Sequence, residues 1–148
     1  MKIGGDYVIL NGLKWDMSNF KDGDISHFTH KDAMNEAHMR NKRLPTLEEF
    51  RMLNKLPYLY DKDKLGIWYA NDVRDLKTNY SLFLPSDGYC FPESVTPNDG
   101  TYNIGIYWSN SSFSEENIWH LYFDSDSVPG VDKYFRGYKF SVRFVSDL

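Results

Sequence analysis

The sequence predicts an α+β fold, in which two short helices precede an aromatic-rich region of antiparallel strands. Aromatic residues make up 17% of the 148 residues, and they favour the pleated, half-buried surface of a sheet. Helix start signals are confined to the segment before residue 58, and turn sequences such as Asp87-Gly88 and Pro129-Gly130 divide the rest into short pieces. One hydrophobic core suffices at this length. We therefore predict a single domain over residues 1–148.

A hairpin is predicted within residues 1–19. Two apolar runs flank Asn11-Gly12, the dipeptide that best supplies the two positive φ angles of a type I′ turn.

Residues 29–57 carry the signals of the two helices. Thr29 is a suitable N-cap for a helix from His30 to about Arg40. Thr46 and Glu49 have the spacing of a capping box, and Pro57 is expected to end the second helix.

Residues 58–148 are predicted to form the β and loop region. Its expected strands are rich in aromatic and aliphatic residues, and turn residues separate them. They are 66–70, 80–84, 104–109, 119–123 and 140–145.

Composition excludes several classes of function. The net charge is -4 and no basic stripe is present, so we expect no nucleic-acid partner. No apolar run is long enough for membrane insertion, and none follows Met1 in the manner of a secretion signal. Cys90 is the only cysteine, which excludes an intrachain disulfide and thiolate-rich metal sites.

The order of short motifs in the chain resembles that of a known family. The motifs are Arg43-Leu44-Pro45-Thr46, Phe83-Leu84-Pro85, Tyr107-Trp108-Ser109, Leu121-Tyr122-Phe123 and Ser141-Val142-Arg143-Phe144-Val145. This order resembles the C-type-lectin-like domains related to formylglycine-generating enzymes, which include retroelement-diversified variable proteins and paralogous surface domains of gut bacteria. The resemblance spans residues 14–145.

The resemblance implies a C-type-lectin-like fold, with two helices flanking a small twisted antiparallel sheet and long loops presenting a ligand-binding face. It also implies that Trp108 and Phe144 are core residues and that Arg143 is a partly buried cation with a carboxylate or carbonyl partner. The enzymatic branch of the family uses paired cysteine chemistry, which Cys90 alone cannot supply.

Candidate catalytic and metal-binding residues have simpler explanations. Cys90 would need a nearby histidine to act as a nucleophile, and His27, His30, His38 and His120 are distant from it in sequence. His30 and His38 are also too far apart for chelation by one helix. We therefore predict no enzyme activity, no catalytic residue and no metal ligand.

Two acidic loops leave calcium open as an alternative. The loop at Asp61 departs from the EF-hand pattern at Leu65, and Pro129 stands where that pattern would need glycine in the loop at Asp124. A glycosidase pair could also be drawn from Glu115, Glu116, Asp124 and Asp126, but nothing in the sequence selects two of them.

The aromatic excess of the second half predicts a recognition face instead. Tyrosine and tryptophan give large contact areas at low entropic cost, and amide and carboxylate side chains lie beside them in the loops. The candidate ligand-binding residues are Asn98, Asp99, Tyr102, Asn110, Asn117, Trp119 and Tyr134.

These observations predict a non-enzymatic binding module on the surface of a phage particle, as a head or tail fibre or a capsid decoration. Its expected partners are a host-surface protein or glycan, other virion proteins and further copies of itself in a homo-oligomer such as a trimer. The alternative is a bacterial cell-surface or secreted adhesin domain whose leader has been removed. An enzyme of the formylglycine-generating or glycosidase type is the third hypothesis.

Overall fold

The computed structural model describes residues 2–3, 7–94, 96–98 and 103–148, and these residues contain ten strands and two α-helices. The strands form three antiparallel sheets of four, three and three strands. Within these residues, no helix combines the length and the apolar character that crossing a membrane requires.

The first sheet contains the predicted hairpin. Its strands are β1 (Lys2–Ile3), β2 (Tyr7–Leu10), β3 (Leu13–Asp16) and β10 (Val145–Asp147), in that order across the sheet. Asn11 and Gly12 have φ angles of 52° and 73°, as a type I′ turn requires. The prediction of an Asn-Gly hairpin is therefore confirmed, and the last strand of the chain extends it.

The two helices begin where the sequence predicts. Helix α1 (His30–Met39) is capped by the Thr29 side chain, and helix α2 (Leu47–Leu53) has both hydrogen bonds of the Thr46 and Glu49 capping box. Helix α2 is shorter than predicted. It ends at Leu53 because the following amides bond back within tight turns, including Leu56 N to the Leu53 carbonyl at 3.0 Å.

The second sheet follows α2 directly. It consists of β4 (Tyr58–Asp61), β5 (Gly66–Tyr69) and β6 (Leu82–Pro85), with β5 in the centre. A short 3-10 helix, Val73–Asp75, lies in the connection between β5 and β6.

The third sheet is a meander of β7 (Ile104–Ser112), β8 (Asn117–Asp124) and β9 (Gly130–Phe135). Strand β9 is absent from the predicted strands, because none of its residues is buried and they lack a continuous apolar pattern. The predicted strand 140–145 is wrong over most of its length, since only isolated bridges involve residues 140 and 141 and β10 begins at Val145.

The core has two parts that lie on opposite faces of the third sheet. One cluster joins Tyr107, Leu121 and Phe123 to the first two sheets and α2, and the other joins Trp108 and Ile118 to α1 and the segment before β10. Neighbouring residues of a strand point to opposite faces, so alternate residues of β7 and β8 supply the two clusters. Trp108 and Phe144 are core residues, as expected.

The predicted fold class is wrong. The sequence predicts an α+β, C-type-lectin-like fold in which two helices flank one small twisted sheet, whereas the structure is mostly β, with three small sheets and two short helices. The helices have only ten and seven residues, too few to cover a sheet. The sequence signals identified strands without fixing their partners, because pairing depends on contacts between distant segments.

Candidate functional site

A group of exposed aromatic side chains lies at and beside β9, one of the two edge strands of the third sheet. Phe91, Tyr134 and Phe135 are 51%, 45% and 42% exposed, and Tyr89 and Tyr138 are half-buried between them. We call these five residues the aromatic patch. Large exposed aromatic groups are uncommon on monomeric surfaces and mark interaction sites.

The rings of the patch contact one another and are supported from below. Tyr138 is the central ring, with centroid distances of 4.6 Å to Tyr134, 6.0 Å to Phe91 and 6.3 Å to Phe135. The fully buried Phe140 stacks against Tyr134 at 6.2 Å. The packing restricts the rings, so a ligand that covers them need not immobilise flexible side chains.

Local backbone features bring the patch together. Register places Tyr134 opposite Ile118 on β8, so its side chain lies on the same face as the second core cluster. Phe135, the next residue, begins on the other face and joins the patch at the end of β9 through its contact with Tyr138. The bridge between Cys90 and Lys139 brings the segment of Phe91 against that of Tyr138. Gly137 allows the close approach of Phe135, because a side chain at this glycine would collide with the ring.

Polar groups surround the rings. The hydrogen bond with the Tyr138 hydroxyl raises the pKa of Tyr134, with burial as the second cause, so the Tyr134 phenol is protonated at neutral pH. The backbone N–H of Asn98 donates a 2.9 Å hydrogen bond to the backbone carbonyl of Tyr89, which holds Asn98 beside the patch. Lys139 Nζ donates to the Ser94 carbonyl at 2.8 Å. The site therefore offers apolar ring surface together with hydroxyl groups.

The predicted recognition residues are divided among different surfaces. Asn98 and Tyr134 belong to or adjoin the aromatic patch. Tyr134 pairs with Ile118 across the strands, so these two side chains share a face of the sheet. Trp119 is the next residue after Ile118 and therefore points to the opposite face. The structure therefore does not join Trp119 and Tyr134 in one face.

The other predicted residues have their own positions. Asn117 begins β8 opposite Phe135, and Asn110 lines cavities between β7 and α1. Asp99 and Tyr102 lie outside the described residues.

Trp119 belongs to a separate surface cluster with charged neighbours. Its indole packs against the exposed Phe113 at 5.8 Å, and Lys133 and Arg51 lie 5.2 and 5.7 Å from its centroid. These cation–π contacts stabilise the indole on the surface. The cations also occupy positions that a ligand would need in order to stack on the ring.

Four members of the patch are not among the residues predicted from the sequence: Tyr89, Phe91, Phe135 and Tyr138. Phe135 and Tyr138 flank Arg136-Gly137, a turn that could have indicated exposed side chains. Phe91 is far from them in sequence, and the bridge at Cys90 is a tertiary contact that no local signal predicts.

Cys90 lies under the patch in an environment that disfavours nucleophilic chemistry. Its side chain is buried, and burial raises the pKa of the thiol although the positive charge of Lys139 opposes this shift. The reactive species of cysteine is the thiolate, so a raised pKa lowers reactivity.

The buried histidines serve structural roles. His27 Nε2 lies 3.0 Å from the Asp87 carbonyl, and His30 Nε2 lies 2.9 Å from the Ser109 carbonyl. Burial lowers the pKa of His30 and of His120 to about 4 in each case. Both imidazoles are therefore neutral at physiological pH, and His30 acts as a hydrogen-bond donor to the backbone.

The two acidic loops use their carboxylates internally. Asp61 accepts from the amides of Asp63 and Lys64 and from the Trp68 indole. Asp124 accepts from the amides of Asp126 and Ser127 and from the hydroxyl groups of Tyr122 and Ser127. Over the part of the chain that the structure describes, no group of three or more potential ligands is placed to hold a metal ion.

Carboxylates at opposite ends of β8 are not placed as a glycosidase pair. Glu115 and Glu116 precede β8, whereas Asp124 ends it and Asp126 follows. An eight-residue strand spans about 26 Å, far beyond the roughly 5–10 Å between carboxyl groups in glycosidases.

Comparison with known proteins gives no relative for this chain. No protein-family model matches the sequence, no curated protein matches it, and no solved structure matches the fold.

Proposed function

We propose that the protein is a non-enzymatic recognition module that binds a protein or glycan on a cell surface through the aromatic patch. The observation that supports this proposal is the contiguous exposure of Phe91, Tyr134 and Phe135 around Tyr138 on a buried aromatic floor. Aromatic residues are enriched at interfaces, and a rigid ring surface can cover an apolar protein side chain or the C–H face of a sugar.

The partners and the location remain those expected from the sequence. We propose a host-surface protein or glycan as the ligand, display on a phage particle as part of a homo-oligomer, and a bacterial surface or secreted adhesin as the alternative. The exposed edge of β9 would let the patch meet a partner without rearrangement of the sheet.

Binding to fractionated bacterial envelopes tests the proposal. Tyr134→Ala and Phe91→Ala each remove a ring that is about half exposed, and each should weaken envelope binding about tenfold or more. Tyr80→Ala is the matched control, because Tyr80 is 50% exposed outside the patch and its loss should leave affinity within about twofold.

Light scattering on the same samples identifies the competing outcome. If Tyr134→Ala converts an oligomer into monomers, the patch is a subunit interface and the recognition proposal is wrong. Envelope binding that is unchanged in both patch variants would also overturn it.

A further inference from the structure

A second surface, between α1 and β7, differs in charge from the rest of this acidic protein. A cavity of about 580 Å³ is lined by Lys31, Arg136, Asn110, Asn35, Ser112, His30 and Met34. A cavity of about 160 Å³ continues it, sharing Met34 and Asn110 and adding His38, Lys42 and Arg43 among its lining residues. We call the two together the basic groove.

No carboxylate is among the lining residues of either cavity, although the whole chain has a net charge of -4. By contrast, the cavity of about 500 Å³ on another side of α1 is lined by Asp22, Asp32 and Glu36. The lining of the basic groove is therefore opposite in charge to the net charge of the chain.

The two cations of the larger cavity are not neutralised by ion pairs. Lys42 and Arg43 of the smaller cavity pair with Asp16 and with Glu49. No carboxylate of the described residues lies within 4.0 Å of the side-chain nitrogens of Lys31 or Arg136. Their charge remains available to an incoming anion.

Arg136 is held in place by neutral groups. Its Nη1 donates to the Glu115 carbonyl at 2.7 Å, and its Nη2 lies 3.4 Å from His30 Nδ1. Since the Ser109 carbonyl can only accept, His30 Nε2 carries the proton and Nδ1 is free to accept from Arg136. The guanidinium is thus positioned before any ligand binds, which reduces the entropy lost on binding.

We infer that the basic groove binds an acidic glycan, with Lys31 and Arg136 contacting its acid groups and Asn110 near the middle of the groove contacting its hydroxyl groups. This inference goes beyond the proposed function, because it names a second binding surface and a ligand class for it. The acid group can be a carboxylate, a sulfate or a phosphate, since a guanidinium recognises all three.

The neutral lining residues favour a sugar over a nucleic acid. Amide and hydroxyl groups of Asn35, Asn110 and Ser112 suit sugar hydroxyls, and the exposed Met34 offers an apolar contact. Single-stranded nucleic acids bind through stacking of bases on aromatic side chains. The aromatic rings among the described residues that line the groove are the imidazoles of His30 and His38, and no phenylalanine, tyrosine or tryptophan lines it.

Titration calorimetry with defined polymers tests the inference. The probes are oligogalacturonate, dextran sulfate and poly(glycerol phosphate), with neutral dextran and oligo(dT) as comparisons. At least one acidic polymer should bind, and raising the salt concentration should weaken it because charges are screened. Three results would each overturn the inference. Neutral dextran could bind as well as the acidic polymers, oligo(dT) could bind as tightly as every acidic polymer, or no acidic polymer could bind.

Matched variants locate the site. Lys31→Gln removes one exposed cation and should weaken binding about tenfold, in line with the loss of a charge-assisted hydrogen bond. Lys55→Gln is the control, because Lys55 is also exposed and lies outside the groove. Arg136→Gln should weaken binding more than Lys31→Gln does. If Arg136→Gln fails to fold, Lys31→Gln still tests the inference. Equal affinities for Lys31→Gln and the unsubstituted protein would overturn the inference.

The results separate the two proposals. If envelope binding is lost in Tyr134→Ala but unchanged in Lys31→Gln, recognition through the aromatic patch is supported and the inference that the basic groove binds an acidic glycan is wrong. If the protein binds a purified acidic glycan in a manner that depends on Lys31 but binds no envelope fraction, the inference about the basic groove is supported and the proposal of cell-surface recognition is wrong.

Discussion

Arg143 offers the sharpest test of how the fold is held together. Its guanidinium is 1% exposed, and burial lowers its pKa to about 10, so it remains a cation at neutral pH. Nε donates to Asn19 Oδ1, Nη1 to the Asp16 carbonyl and Nη2 to the Phe83 carbonyl, each at 2.9 Å. The carbonyl partner expected from the sequence is therefore present, and one side chain connects three segments that are distant in sequence.

Arg143→Met should lower the free energy of unfolding by about 3 kcal/mol. The substitution leaves three oxygen acceptors without this donor, and each unsatisfied acceptor costs about 1–3 kcal/mol. Two effects favour the lower end of this range. The desolvation penalty of the buried cation disappears, and the adjoining cavity, lined by Asn19 and Phe83, lets water reach the abandoned acceptors.

Urea denaturation followed by tryptophan fluorescence measures this loss, and the corresponding fall in Tm is about 6–12 °C. Arg74→Met is the matched control, because the Arg74 side chain is 85% exposed and its one ion pair among the described residues is with the nearby Asp72, so its loss should change stability by less than about 0.5 kcal/mol. A loss below about 1 kcal/mol for Arg143→Met would refute the argument from buried acceptors.

Three further predictions concern packing, protonation and reactivity. Gly105→Ala should destabilise the protein by about 1–3 kcal/mol, because the added methyl group would collide with the Phe123 ring, whereas Gly130→Ala has open space and should be nearly neutral in the same denaturation assay. Burial lowers the pKa of His120 from 6.5 to about 4, so the stability that neutral His120 contributes is fully present above pH 6.5 and is lost as the pH falls towards 4. His120→Phe should therefore reduce the change in the free energy of unfolding between pH 6.5 and pH 4. An unchanged pH dependence in this variant would contradict the assignment. The Cys90 thiol is buried with a raised pKa, so it should react with Ellman's reagent far more slowly in the native protein than in urea, and equal rates would show that the site is open.

Local signals were sufficient where the structure depends on neighbouring residues. The Asn11-Gly12 turn, the Thr29 cap and the Thr46 and Glu49 capping box all form as predicted, because each is a short-range hydrogen bond or a backbone preference. Strand β9 and the arrangement of three sheets were not predicted. An exposed edge strand has little apolar periodicity, and its pairing is decided by the strand beside it.

The candidate recognition residues also could be predicted only in part from the sequence. The sequence indicated that aromatic and amide side chains of the second half could form a recognition surface, and Tyr134 and Asn110 were named from it. It could not show that Trp119 and Tyr134 lie on opposite faces, because this depends on the register of β8 with β9.

The sequence by itself determined the hairpin, the helix starts, the aromatic excess and the absence of disulfide chemistry. Only the tertiary structure decided that Phe91 joins Tyr138 in the aromatic patch, and that Lys31 and Arg136 line a groove without carboxylates. These contacts join residues separated by 47 and 105 positions along the chain. Such pairs are brought together by the packing of the third sheet against its two core clusters, which no local preference specifies.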